Sequence, residues 1–490
     1  MSDLPLAPWR PLPTWRERQA LGTRLRDRIG RTAQAIWHPA EGHADLGAFL
    51  LRANRGRQPD LLPIKFERMA ASPFAFFRGA APLMAADLAG TQNTGVMVQL
   101  CGDAHVVNLG AYAAPDGHLV FDLNDFDETI LGPWEWDIKR LAASIVLAGR
   151  DAGNDDQDCR DAVQTAVRSY RESMRRFSKM KVVELLRFDV RHFGKGSPVA
   201  TVMRKAERVD ASRVLKKLTV AAGHGLWRFH DRPPVLRHVS DRAARAVLAS
   251  LTAYRDTLRA DHQLALDAYH PVDVAFKVVG TGSVGTRDYV VLLLGNGPSD
   301  ALFLQVKQAL ASCYAPFLPQ APVFPQQGRR VAEAQYRLQT VTDPFIGWTA
   351  IGRDDFLVRQ LADHKAAIEP GDLEGRALAE YGVVAAELLA KAHARSGDAA
   401  AIAGYCGGSD KLDLAVAGFA LSYANQTAQD HALFAKAFRS WKLTAHASRW
   451  PARASRRPTP ARRGLRGRST VFPKRTLRPP HDRRLKSAVP

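Results

Sequence analysis

The chain has 490 residues, 46% of them hydrophobic, a length and composition that fit two or three domains and exclude bulk disorder. Its formal net charge is +20, but 14 Lys and Arg against a single acid, Asp482, lie beyond Leu443, so the basicity belongs mainly to a tail. Four scattered cysteines (Cys101, Cys159, Cys313, Cys406) exclude a CxxC zinc site, and no run is more apolar than YVVLLLG, so the expectation is a cytoplasmic protein without a signal peptide or membrane span.

Residues 15–38 carry apolar positions at helical spacing, and 79–89 predict a second helix. Residues 95–126 predict strand, loop, strand, turn, strand, and 137–149 (DIKRLAASIVLAG) a buried helix. From Asp155 to Leu266 the pattern is mostly helical. Three β-rich runs with Gly-rich turns follow, VDVAFKVVG, DYVVLLLG and ALFLQVKQA. After a Pro-rich connection come the helix RRVAEAQYRLQ, the strand DFLVRQL and two helices ending near 440. The Pro- and Arg-rich tail has no period and reads as disordered, as a grip for nucleic acid or an acidic membrane surface, or as the product of a shifted reading frame.

Three constellations carry chemistry. In QLCGDAHVVNLGAYAAPDGHLVFDLNDFDE, Asp103 and Asn108 form D-x-x-x-x-N after an apolar run, and a hairpin ends in Asp125-Phe126. Phosphoryl transfer needs an aspartate to orient an attacking hydroxyl, together with hard oxygen ligands for Mg²⁺, commonly an Asn and an Asp. A capped polar loop would give D-x-x-x-x-N alone; the added acidic strand end favours the metal reading. A dinuclear metallophosphatase site lacks its further motifs here, and a calcium loop fails at Asp127 and Pro133, where Gly and a bidentate acid belong.

The second constellation is KVVGTGSVGTRDYVVLLLG, where Gly280, Gly282 and Gly285 make G-x-G-x-x-G. Strand–glycine loop–strand is the order of a kinase phosphate-covering loop rather than of a dinucleotide fold; an ordinary hairpin is the alternative. The third is Lys307, at the end of an apolar strand one turn later. It matches the position of a phosphate-binding lysine, with Glu333 on the next helix as its partner; a snorkelling Lys and a solvated Glu are the alternative. Arg78 in FFRG reads equally as a phosphate contact or as an acid's partner.

CGDAHVVN resembles the HGDxHxxN loop of aminoglycoside phosphotransferases and related small-molecule kinases, with Cys101 replacing the first His. In that family a Gly follows the metal Asp by seven residues and a helix-starting Asp by twelve, which are the offsets of Gly132 and Asp137 from Asp125. The resemblance implies Asp125 as metal ligand and Asp137 as a brace beneath the loop, with Asp122 and Asp127 left as second ligands. Over residues 15–440 the chain also resembles a bacterial family known as domain of unknown function 2252, on RMAASPFAFFRGAA, FDLNDFDETILGPWEWDIKRLAAS and AKAHARSGD. That resemblance brings no substrate with it. Trp134 and Trp136 read as core anchors, and His393 and Asp398 as a helix end.

The expected fold is α+β, a protein-kinase-like two-lobe arrangement with a mostly helical large lobe. It is circularly permuted, because the catalytic loop precedes the glycine loop. The divisions are an N-terminal helical segment (1–90), the catalytic loop and metal hairpin (91–150), a helical acceptor-side insert (151–271), a β-rich nucleotide lobe (272–364), C-terminal helices (365–442) and the tail (443–490). The permutation requires Lys307 within about 10 Å of Asp125, since both must touch one nucleotide. The expected activity is ATP- and Mg²⁺-dependent phosphotransfer to an unknown hydroxyl acceptor. Asp103 is the base, Asn108 and Asp125 hold the metal, and Gly280, Gly282, Gly285, Lys307 and Glu333 hold the nucleotide. AMP transfer and a non-catalytic nucleotide-binding scaffold are the alternatives, with nucleic acid a partner only through the tail.

Overall fold

The structure, a computed structural model, describes residues 13–444 apart from 191–192, 195, 209–210, 222–226, 279 and 362–364. The basic tail from residue 445 lies outside the described residues, and the readings placed on it stay there. Helix α1 (Trp15–Arg28) starts on a reciprocal cap between Thr14 and Glu17 and stops at Ile29, before Gly30; the single helix expected to 38 becomes α1 and a short 3₁₀ turn, Arg31–Ala35. Four short helices follow: α2 (Leu46–Ala53), α3 (Leu62–Met69), α4 (Pro73–Gly79) and α5 (Ala81–Ala89). Ser72 caps α4 and Pro73 occupies its first turn, where a missing N–H costs nothing.

The acidic stretch folds as expected. Strand β1 (Met97–Leu100) leads into the loop that carries Asp103, and β2 (Leu109–Ala113) and β3 (Leu119–Leu123) form a hairpin. Strand β4 (Ile130–Pro133) returns antiparallel to β1 and feeds α6 (Trp134–Asp151), which is buried from Trp134 to Gly149. Helix α6 sits in the main core beside α7 (Asp156–Phe177), α14 (Arg376–Ser396), α15 (Ala399–Cys406) and α16 (Lys411–Thr444). Gly22 and Gly404 let α1 and α15 touch backbone to backbone, since a Cβ at either would fall within about 2 Å of the facing carbonyl oxygen.

A second core lies under a six-stranded antiparallel sheet, of order β11-β12-β10-β9-β8-β7. Its strands are β7 (Leu236–His238), β8 (His270–Lys277), β9 (Asp288–Leu294), β10 (Ala301–Gln308), β11 (Gly347–Ile351) and β12 (Asp354–Gln360). The sheet therefore reaches back past residue 272 to take in β7. The segment read as a helical insert contains helices α8 (Val182–Arg187), α9 (Pro198–Glu207), α10 (Ala211–Leu218), α11 (Asp241–Arg255) and α12 (Ala260–Asp267), but also β5 (Thr219–Ala221) and β6 (Trp227–Phe229), which pair with each other. Helix α13 (Gln327–Leu338) packs between the sheet and the large core, and β13 (Ala366–Ala367) adds to the β2–β3 hairpin. The described residues thus form a mixed α+β protein, mostly helical. Among them no helix is long and apolar enough to cross a membrane.

Candidate active site

The loop after β1 is shaped from below. Gly102 has φ +85°, and a Cβ there would lie 2.2 Å from the Glu128 carbonyl oxygen, so only glycine fits. The N–H groups of Cys101 and Gly102 donate to the two carboxylate oxygens of Asp137, at 2.7 and 3.0 Å. His393 Nε2 lies 3.2 Å from the same carboxylate, and Tyr170 Oη lies 2.7 Å from His393 Nδ1. Asp137 is the brace expected under the loop, and His393, read as a helix end, is buried as the support of that brace. Trp134 and Trp136 are buried as core anchors, Trp134 stacked on Tyr170 at 5.6 Å.

This brace presents Asp103 to a cavity. Its carboxylate accepts from Arg140 Nε at 2.7 Å, and His105 Nε2 lies 3.6 Å away. Burial favours the neutral acid, but Arg140, His105 and Arg78 outweigh it and hold the Asp103 carboxyl below its ordinary range. Burial drives His105 down to about 3, so its imidazole is neutral at physiological pH. Arg140 escaped the sequence reading. Its only signal is a basic residue inside the apolar run of α6, where an unpaired charge is costly.

Asn108 is spent on holding the loop to the hairpin. Its Nδ2 donates to the carbonyls of Asp103 and Asp125, both at 2.9 Å, and its Oδ1 accepts from Asp125 N–H at 2.7 Å. Asp122 points away: it is wholly buried and paired with buried Lys391. Three carboxylates of the hairpin end remain at the cavity, Asp125, Asp127 and Glu128.

Lys307 Nζ lies 3.3 Å from Asp125 Oδ2 and 2.5 Å from Asp127 Oδ2. It stands on β10 opposite Asp288 of β9 and Leu357 of β12, and is 1% exposed. Burial favours the neutral amine, but the two aspartates outweigh it and raise the Lys307 pKa. Burial opposes ionisation of Asp125 as well, yet Lys307 and Arg359 hold it well below the carboxylate range, while burial and the Asp125 charge push Asp127 up. The pairing expected between Lys307 and Glu333 is replaced by this one. Glu333 binds Arg329 and Arg337, each four residues away on α13, because those partners lie on its own helix face. The residue of α13 that reaches the site is Arg330, which donates to the carbonyls of Asp127 and Leu310, both at 2.8 Å.

The glycine loop joins β8 to β9 as an antiparallel hairpin, with positive φ at Gly280 and Gly285. Ser283 Oγ donates to Asp127 Oδ2 at 3.1 Å, so the loop, the hairpin end and Lys307 meet at one carboxylate. The N-terminal helices hold the loop from outside. Lys65 Nζ donates to Gly282 O at 3.2 Å, Arg57 to Val284 O at 2.8 Å, and Arg68 to Gly280 O. The backbone N–H groups from Gly280 to Gly285 make no hydrogen bond among the described residues. A cavity of about 420 Å³ is lined among others by Lys65, Arg78, Asp103, Asp125, Asp127, Gly280 and Gly282, while Gly285 lies outside its lining. Asn108, Lys307 and Glu333 do not line it directly, and Lys307 reaches it through the two aspartates.

Residues 57–437 match the family described as an uncharacterised protein conserved in bacteria, DUF2252, and the chain belongs to that family. Neither a curated protein nor a solved structure matches it.

Proposed function

We propose that this protein is an ATP- and Mg²⁺-dependent phosphotransferase, with a kinase-like site assembled in permuted chain order. The observation that carries the reading is the meeting of Lys307 with Asp125, 182 residues apart in sequence and 3.3 Å apart in space. A lysine, a metal-type aspartate, a glycine loop with unbonded N–H groups and an aspartate at the floor of the same cleft are what phosphoryl transfer requires.

Magnesium suits the donor set. Asp125 and Asp127 are partly exposed hard carboxylates, with side chains 41% and 29% accessible, and Mg²⁺ commonly takes one or two carboxylates, with substrate phosphates and water completing its shell. Among the described residues there is no group of three or more His, Cys, Asp or Glu side chains that could hold a metal ion. Asn108, whose amide oxygen already accepts from Asp125 N–H, serves in this reading to fix Asp125, and Asp127 takes its place as second ligand. Bound magnesium supplies charge neutralisation on the phosphates.

The chain's own residues do the rest. The N–H groups of the glycine loop bind the phosphates, and Lys307 orders the two aspartates and adds positive charge. Asp103, ionised beside Arg140, accepts a hydrogen bond from the acceptor hydroxyl and aims it. A low-pKa aspartate is a weak base, but a loose phosphoryl-transfer transition state asks for positioning more than for early deprotonation.

Thermal shift with ATP, with and without Mg²⁺, on wild type, Asp125→Ala and Lys307→Ala tests the reading. Metal-dependent stabilisation in wild type, lost in both variants, is expected; none in wild type would refute it. Product mass, one phosphate or one AMP on the acceptor, decides between phosphotransfer and AMP transfer.

A further inference from the structure

The cavity holds more positive charge than the proposed reaction uses. Its carboxylates are committed: Asp103 to Arg140, Asp125 and Asp127 to Lys307, and Glu128 Oε2 to the N–H of Cys313 at 2.6 Å. Facing them from the N-terminal helices stand Arg57, Lys65 and Arg78, which form no ion pair among the described residues. Lys65 is 3% exposed, and its Nζ has one neutral partner, Gly282 O. Arg57 donates only to a carbonyl, and its Nε is buried with no partner. Arg78 Nε is likewise buried and unpartnered, and its guanidinium sits 6.0 Å from the Phe74 ring centre. Arg78 is close enough to Asp103 and Asp125 to interact with both, yet it pairs with neither.

Burial pushes the Lys65 pKa well down, and Arg57 and Arg78 are half-buried with a nitrogen that has no partner, so an anionic ligand here would offset the cost of holding these groups charged. Guanidinium groups fit phosphate oxygens in a two-pronged geometry. We infer that Arg57, Lys65 and Arg78 form an anion subsite between the glycine loop and Asp103, so that the acceptor is a hydroxyl compound that already carries a phosphate group. Two guanidiniums, with an amine that an anion would hold protonated, suit a dianionic phosphate ester better than a single carboxylate. Arg78, nearest Asp103, is the positioning residue that places the acceptor's hydroxyl at that carboxylate. The inference deepens the phosphotransferase reading and rests on it for the identity of the acceptor.

Calorimetric titration of the full chain with inorganic phosphate, alone and with saturating Mg²⁺ and a non-hydrolysable ATP analogue, tests it. Wild type is expected to bind phosphate with the analogue already in place. Arg78→Gln and Lys65→Gln each weaken phosphate binding tenfold or more, Arg78→Gln leaves analogue binding within twofold, Arg78→Lys recovers part of the loss, and Lys307→Ala weakens analogue binding while leaving phosphate binding within twofold. Unliganded melting temperatures show that each variant is folded. Phosphate and analogue competing for one site, or equal phosphate affinity in wild type and both Gln variants, would overturn the inference and leave the nucleotide reading intact. Phosphate binding lost in the Gln variants, with no analogue binding in wild type, would keep the subsite and remove the phosphotransferase.

Discussion

Lys307 and Asp125 touch at 3.3 Å although one ends a strand of the six-stranded sheet and the other ends the β2–β3 hairpin. Asp127 shares the same ammonium at 2.5 Å. Removing the lysine leaves two adjacent carboxylates without their nearest counter-ion, with Arg359 alone acting on both. Lys307→Ala is therefore expected to lose about 2 kcal/mol of stability, less than a fully buried pair costs because both carboxylates keep some solvent. Mg²⁺ alone should restore part of that loss in the variant and do little for wild type. Denaturant melts with and without Mg²⁺ check this; identical Mg²⁺ responses would argue against a cation site at these carboxylates.

Asp137 satisfies two N–H groups of the Asp103 loop at once, which an amide cannot do without turning a donor toward a donor. Asp137→Asn should cost about 2–3 kcal/mol and disorder the loop. Hydrogen exchange of the Cys101 and Gly102 amides reads the effect directly. Unchanged protection would show that the loop does not depend on the brace.

Asp288 sits opposite Lys307 with a single donor, Gln305 Nε2 at 2.7 Å, and burial raises its pKa to about 7. A carboxyl raised in the folded state binds protons that the unfolded chain releases. Its contribution is whole below about pH 4 and declines as pH rises to 7. Asp288→Asn removes that decline and is expected to gain on wild type by up to ~3 kcal/mol between pH 5 and pH 8. Parallel stability profiles for the two proteins across that window would contradict the assignment.

His43 bridges Asp87 at 2.9 Å and Asp430 at 2.8 Å, tying the N-terminal segment to α5 and α16. Burial lowers its pKa, but the two aspartates outweigh it and raise it to about 9. The stabilisation is complete below the unfolded value near 6.5 and is lost as pH climbs through 9. His43→Gln should melt several degrees below wild type at pH 6, with the gap closing by about pH 10. A gap independent of pH would mean that packing, not charge, holds His43.

The local parts of the site were legible in the chain. An apolar run, D-x-x-x-x-N, a Pro-Asp-Gly turn and an acidic strand end dictate strand, loop and hairpin, because each depends on residues a few positions apart. The glycine loop between two strands and the offset from Asp125 to Asp137 were legible for the same reason. Partner choice was not. Glu333 has Arg329 and Arg337 one helical turn to either side, and these nearby, flexible partners take it before Lys307 can. Asp127 was one of several acids in DLNDFDE, and nothing in the spacing says which of them faces Lys307 and which, like Asp122, turns inward to Lys391.

Propensity, period and turn chemistry act locally, and they were enough for the mixed α+β class, the acidic hairpin and the three central strands, but not for β5, β6 and β7 inside the segment read as helical. Only the tertiary structure decided that Lys307 meets Asp125, that Arg140 holds Asp103, and that the N-terminal helices bring Arg57, Lys65 and Arg78 against the glycine loop. Those encounters join residues tens to hundreds of positions apart. Burial makes each charge choose among the partners the packing supplies, and no spacing along the chain records that choice.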